Sequence, residues 1–302
     1  MSADSSPTSD PKPTKKQVFG SRLISTLCLW AFFVVAFWLA IDWLFFAIAG
    51  TIVLLGLFEY FSLFPIIGFR RFQWQTYGVT IAYFGLLFAR HWGFEPDWLV
   101  DLDGLAIAAL VICVVLERLR APIEGFRTLD EISATIFGFI YIVILFAFVP
   151  KILLLDDLKD TTGNYSAHFY VLYLLMVTKF TDMGAYAVGS LIGRDKMVPH
   201  VSPAKTWQGF GGAILFAFIA SFGAYFLFGE KIPLITPLHA SILAVALALV
   251  AVLGDLAESI LKRSLEAKDS GHKMPGIGGV LDLIDSVLFT APILYVYLLI
   301  IS

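Results

Sequence analysis

Residues 254–286 read GDLAESILKRSLEAKDSGHKMPGIGGVLDLIDS, a run of acids and bases set between two long apolar stretches. Asp255, Glu258, Ser259 and Lys262 recur there at i, i+3, i+4 and i+7, the spacing of one helical face. Charge at the centre of a bilayer helix costs about 2.5–3.5 kcal/mol per residue, so it usually marks function. Lys262 and Arg263 could simply reach water from a helix end on their long stems. Asp255 lies two turns deeper on a short stem, and that explanation fails for it. Asp282 and Asp285, again three apart and followed by Ser286, open the next apolar stretch. Acids at a helix start can serve the helix dipole alone. Here, however, Lys268 and Asp269 and then the glycine-rich PGIGG at 275–279 precede them. Glycines let backbone N–H groups approach phosphate oxygens, and nearby carboxylates can hold Mg2+. The combination points to polyphosphate–metal chemistry.

Two further clusters could join it. Lys179 and Asp182, with Tyr186 on the same helical face, interrupt the apolar stretch 166–192. They make either a satisfied intramembrane ion pair or, through Asp182, part of a polar cavity shared with Asp255 and Asp282. Acids contributed by separate helices are how metal sites inside bundles are built. The segment 193–212, GRDKMVPHVSPAKTWQGFGG, offers Ser202, Lys205, Thr206 and several glycines just before another apolar stretch. A lysine point charge and hydroxyl donors suit phosphate. No HExxH, Walker A or GxGxxG fingerprint occurs, so zinc hydrolysis, P-loop ATPase and dinucleotide chemistry drop out.

The elements that must position these residues are membrane helices. Hydrophobic residues make up 59% of the 302-residue chain and Phe alone numbers 28, well above the usual apolar share of about 45–50%. Apolar runs fall at 23–41, 43–64, 75–92, 104–117, 132–155, 166–192, 208–228, 236–261 and 280–301. Runs near 20 residues predict spans. The expected fold class is therefore an all-α integral membrane protein, a polytopic bundle of about nine transmembrane helices with the N-terminus cytoplasmic. With that orientation the outer segments hold only Arg90, Lys151, Lys159 and Lys231 of the 21 Lys and Arg, as the positive-inside rule requires. Both charged, glycine-rich segments then face the cytoplasm. Residues 1–22 read as a polar, disordered cytoplasmic tail, 23–165 as N-terminal membrane helices, and 166–302 as the C-terminal catalytic region. Cys28 and Cys113 sit inside apolar runs as plain thiols, without metal spacing. His91, His168, His200 and His239 are expected at surfaces or helix ends.

Ser259-x2-Lys262-Arg263-x4-Lys268-Asp269, followed by Gly278-Gly279-x2-Asp282-x2-Asp285, resembles the C-terminal signature of the phosphatidate cytidylyltransferase (CDP-diacylglycerol synthase) family. Asp182-x3-Tyr186-x2-Gly189 and Ser202-Pro-Ala-Lys205-Thr-Trp207-x-Gly209 are similar to it as well, so the motifs cover about 180–290. The resemblance implies a multi-spanning, Mg2+-dependent enzyme that joins CTP and phosphatidate into CDP-diacylglycerol and releases pyrophosphate. It makes Asp255 and Asp282 the metal ligands, with room for a second, monovalent cation such as K+. Lys262, Arg263, Lys268, Asp269 and Asp285 become the catalytic set. Ser202, Lys205, Thr206, Ser259, Gly278, Gly279 and Asp182 become substrate-binding. The expected setting is a bacterial inner membrane, with the lipid bilayer and the two substrates as partners, no nucleic acid, and a homodimer left open. Ile277, Leu283 and Gln208 depart from the family's usual His, Arg and Glu. A CTP-dependent polyprenol or lipid kinase and an ion-coupled transporter remain the alternatives from the residues alone.

Overall fold

The structure, a computed structural model, describes residues 41–64, 72–94, 101–155, 158, 167–265 and 279–302. The expected tail, nearly all of the expected first span at 23–41, and Lys268, Asp269 and Gly278 lie outside the described residues. In chain order the helices are α1 (Asp42–Ser62), α2 (Gln73–His91), α3 (Leu102–Arg118) and α4 (Phe126–Gly138). A π-helical turn (Phe139–Ile144) carries α4 into α5 (Leu145–Ile152), and α6 (Ala167–Ile192) follows. A small antiparallel hairpin, β1 (Lys196–Val198) and β2 (Ser202–Thr206), leads into α7 (Trp207–Phe228), α8 (Pro237–Ser264) and α9 (Val280–Ile301).

Among the described residues, six segments are long and apolar enough to cross a membrane: Asp42–Ser62, Phe126–Ile152, Ala167–Ile192, Trp207–Lys231, Pro237–Ser264 and Val280–Ile301. The chain is an all-α integral membrane protein. Two of the nine expected spans are helices that fall short of that standard. The helix α3 has 17 residues, and α2 carries Gln73, Gln75, Thr76, Thr80, Arg90 and His91. The threonines of α2 are satisfied within the helix, Thr76 Oγ1 on Phe72 O at 2.9 Å and Thr80 Oγ1 on Thr76 O at 2.7 Å. A hydroxyl bonded back to its own helix can be buried in an apolar core.

Local chemistry sets the boundaries. The Asp101 side chain accepts from Gly104 N at 3.0 Å and so caps α3. Thr206 caps α7 through Gly209 N at 3.2 Å, and Thr236 with Pro237 opens α8. Such caps satisfy donors that the first turn leaves free. Along α6 and α7, small residues bring two backbones into contact. A Cβ on Gly184 would lie 2.5 Å from Gly212 O, and one on Gly209 would lie 2.9 Å from Ala185 O. This is small-residue packing of the kind that joins membrane helices. The glycines in the first turns of α7 thus have a structural task.

Helix α9 lies at the centre, packed against α1, α5, α6 and α8. At the end of the bundle opposite its N-terminus, His239 Nδ1 meets the Tyr297 hydroxyl at 2.8 Å. The other helix-end histidines are more enclosed than expected. Asp42 takes His91 Nε2 at 3.0 Å and His168 Nε2 at 3.2 Å, with His168 buried.

Candidate active site

The C-terminal half of α8, the first turns of α9, the C-terminal half of α6 and strand β2 bring their charged residues together at one end of the bundle. The closest approach is between helices α8 and α9. A Cβ on Gly254 would fall 2.6 Å from Asp285 O and 3.1 Å from Ser286 Cα, so only glycine lets the two backbones pass at this depth. The next residue is Asp255. Its carboxylate, that of Glu258 one turn on, and that of Asp285 each offer an oxygen, and the three lie within 4.8 Å of one another. Glu258 is 2% and Asp285 6% exposed, whereas Asp255 is half-buried.

Lysines hold the rim of this triangle. Lys205, delivered by the hairpin, pairs with Asp255 Oδ2 at 2.8 Å and donates to Val252 O at 3.3 Å. Lys262 bridges two helices, on Glu258 Oε2 at 2.9 Å and Asp282 Oδ1 at 2.5 Å. The other Asp282 oxygen accepts Gly279 N–H at 2.9 Å, closing the first turn of α9. A second carboxylate from far away helps the same helix end: Glu59 Oε2 on α1 accepts Leu281 N–H at 2.8 Å. On α6, Asp182 takes Lys179 Nζ at 3.2 Å and Ser286 Oγ at 3.0 Å. The ion pair is present, and the same carboxylate reaches α9 through Ser286.

At this end Lys179 pairs with Asp182, Lys205 with Asp255, and Lys262 with both Glu258 and Asp282, while Asp285 closes the acidic triangle. Buried like charges are costly unless a counter-charge joins them. All candidate ligands are carboxylate oxygens, hard donors that suit Mg2+ rather than a thiolate- or imidazole-seeking metal. The residues therefore fit a hard divalent cation.

The expected residues land as follows. Asp255, Asp285, Lys205 and Lys262 converge, with Asp182 joined through Ser286. Asp282 sits one step out, engaged by Lys262 and Gly279. Ser259 is half-buried on α8 and Arg263 is exposed in its last turn. Ser202 pairs with Val198 at the start of β2, while the Thr206 hydroxyl is occupied as the cap of α7. Tyr186 is exposed. Gln208 accepts from Arg194 N at 3.0 Å and Asp195 N at 3.2 Å, and donates to Asp195 Oδ2 at 2.6 Å. It therefore ties the hairpin to α7. Glu258 joins the acids although the resemblance does not make it a ligand. Glu59 is a lone acid in an apolar run, and that isolation is its only sequence signal.

A profile of the cytidylyltransferase family matches residues 20–301. The phosphatidate cytidylyltransferase of Bacillus subtilis is 33% identical over 225 residues, covering 74% of this chain and 78% of that protein. An uncharacterized Escherichia coli protein, YnbB, is 31% identical over 285 residues, 92% of this chain and 88% of its own. The phosphatidate cytidylyltransferase of Haemophilus influenzae is 28% identical over 286 residues, 90% and 95% respectively. The matched span takes in every element of the acidic site, and the chain belongs to the cytidylyltransferase family, a nucleotidyltransferase of the membrane.

Proposed function

We propose that the chain is a phosphatidate cytidylyltransferase that converts CTP and phosphatidate into CDP-diacylglycerol and pyrophosphate. The observation that carries this reading is the acidic triangle of Asp255, Glu258 and Asp285, rimmed by Lys205 and Lys262 at a helix end. A non-bridging oxygen of the phosphatidate phosphate forms the new bond to the α-phosphorus of CTP. The bond from that phosphorus to the β-phosphate oxygen breaks, and pyrophosphate leaves with the electron pair. A phosphomonoester near pH 7 is already anionic, so no side chain has to remove a proton or form a covalent intermediate.

The protein's work is to bring two anions together and spread their charge. Lys205 and Lys262 are held on carboxylates, so their ammonium groups are placed before substrate arrives. Arg263, exposed in the last turn of α8, would meet the triphosphate or the lipid headgroup, and Lys268, five residues on in the sequence, would add a second cation. Asp182 fixes Ser286 beside Asp285. The glycines at 278 and 279, without side chains, would let phosphate approach the backbone where the chain enters α9. Asp255, Glu258 and Asp285 would hold Mg2+, with Asp282 as the adjoining acid; when bound, that ion neutralises phosphate oxygens and stabilises the leaving group. A second, monovalent cation belongs to the same proposal. The site faces the cytoplasm in this reading, because Lys and Arg concentrate on its side.

CTP labelled at the α- or the γ-phosphorus separates this activity from lipid phosphorylation. Label from the α position should enter the lipid, and label from the γ position should leave as pyrophosphate. Lipid labelled from the γ position would instead make the protein a CTP-dependent kinase.

A further inference from the structure

Five tyrosines are buried among the described residues: Tyr60, Tyr83, Tyr141, Tyr170 and Tyr173. Four have hydroxyl partners. Tyr60 donates to Ala134 O at 2.7 Å, Tyr83 to Asp103 Oδ1 at 2.5 Å, Tyr170 accepts from Leu234 N at 3.1 Å, and Tyr173 shares a bond with Ser221 at 2.7 Å. Tyr141 has none, although it is 5% exposed and its hydroxyl oxygen is shut off from solvent. A buried donor left without an acceptor is uncommon in a folded protein.

The surroundings of Tyr141 explain where the acceptor belongs. Its ring stacks on Phe137 (centroids 5.5 Å apart, planes at 10°) and meets Phe289 edge-on at 6.2 Å. Phe289 is one turn beyond Asp285 on α9. Tyr141 therefore packs on the helix that carries Asp285, and burial outweighs the fields of Glu258, Asp285, Asp255 and Tyr60 that also reach the phenol. The first three are the acids of the triangle, and no carboxylate bonds the hydroxyl directly. The ring is delivered by the π-helical turn Phe139–Ile144 between α4 and α5. A π turn inserts a residue into the helical register and re-aims the side chains around it, and such turns gather at functional sites.

We propose that Tyr141 is a positioning residue whose hydroxyl donates to a water bound to the divalent cation that Asp255, Glu258 and Asp285 hold. Mg2+ and Mn2+ retain several waters in carboxylate sites, and groups that orient a metal's ligands change its affinity by about 10–100-fold when removed. The inference rests on the proposed cation site but not on the identity of the substrates.

The test is Tyr141→Phe, which keeps the ring and both aromatic contacts. Mn2+ binding to the full-length protein in nanodiscs, without nucleotide, is followed by electron paramagnetic resonance, with Asp255→Asn as the control. The expected result is wild-type binding, loss in Asp255→Asn, and about 10–100-fold weaker Mn2+ binding in Tyr141→Phe at an unchanged melting temperature. The Mg2+ dependence of turnover should shift by the same factor while kcat at saturating Mg2+ changes less. Equal Mn2+ affinity in wild type and Tyr141→Phe overturns the role of Tyr141 and leaves the cation site standing. No Mn2+ binding by the wild type removes both. A Tyr141→Phe protein that melts lower with Mn2+ affinity unchanged marks the hydroxyl as structural and also overturns the proposal.

Discussion

Gly254 and Asp285 touch backbone to backbone: a single added methyl group on the glycine would sit 2.6 Å from the aspartate's carbonyl oxygen. That approach lets carboxylates from α8 and α9 converge. Gly254→Ala should therefore push the helices apart, at an overpacking cost of about 1–3 kcal/mol, and cut turnover at least tenfold. Gly223→Ala, on α7 with nothing within 4 Å of the added carbon, should leave turnover unchanged. Thermal unfolding in detergent and initial rates on the two variants check the contrast.

Lys262 links Glu258 to Asp282 across two helices. Lys262→Met removes the cation from a buried glutamate, and breaking such a pair typically costs about 3–5 kcal/mol. The partial exposure of Lys262 and Asp282 places the expected loss near the lower end. Pairing it with Glu258→Gln should recover most of the melting temperature without recovering activity. A double-mutant cycle on both quantities separates the structural role of the lysine from its role toward substrate.

Glu59 reaches the first turn of α9 from α1, accepting Leu281 N–H at 2.8 Å. Glu59→Leu leaves that donor unpaired and should lower stability by about 1–2 kcal/mol. Glu59→Gln keeps an acceptor and should lose less. Melting curves rank the two; an equal loss would show that the charge, not the hydrogen bond, matters.

Gln208 stands where the family usually has Glu, and here its amide donates to Asp195 while its oxygen accepts two backbone N–H groups. Gln208→Glu would set two carboxylates against each other. It should loosen the hairpin that delivers Lys205 and raise KM for CTP several-fold, with faster amide exchange at Arg194 and Asp195.

The sequence made the α8 stripe legible because Asp255, Glu258 and Lys262 repeat at helical spacing and stand out against apolar neighbours. The acids of α9 and the lysine of the hairpin were equally visible as charges beside membrane spans. What could not be read was the pairing between distant segments. Glu59 and Tyr141 look like isolated polar residues in apolar runs, and only the packing of α1 and the π turn against α9 gives them a place. Gly209 and Gly212 pack α7 against α6, a task that sequence spacing alone does not announce. The hairpin at 196–206 gives no strand signal in the sequence, because strands of three and five residues carry too short an alternation to register.

The decisive assay is pyrophosphate release by the purified protein, given CTP, phosphatidate and Mg2+, with wild type set beside Asp255→Asn. Release should be matched one-to-one by CDP-diacylglycerol, stop when any of the three components is omitted, and fall by about a hundredfold or more in the variant at an unchanged melting temperature, the scale expected when a group central to transition-state stabilisation is lost. Undiminished release by Asp255→Asn, or lipid product that forms without pyrophosphate, would contradict the proposal.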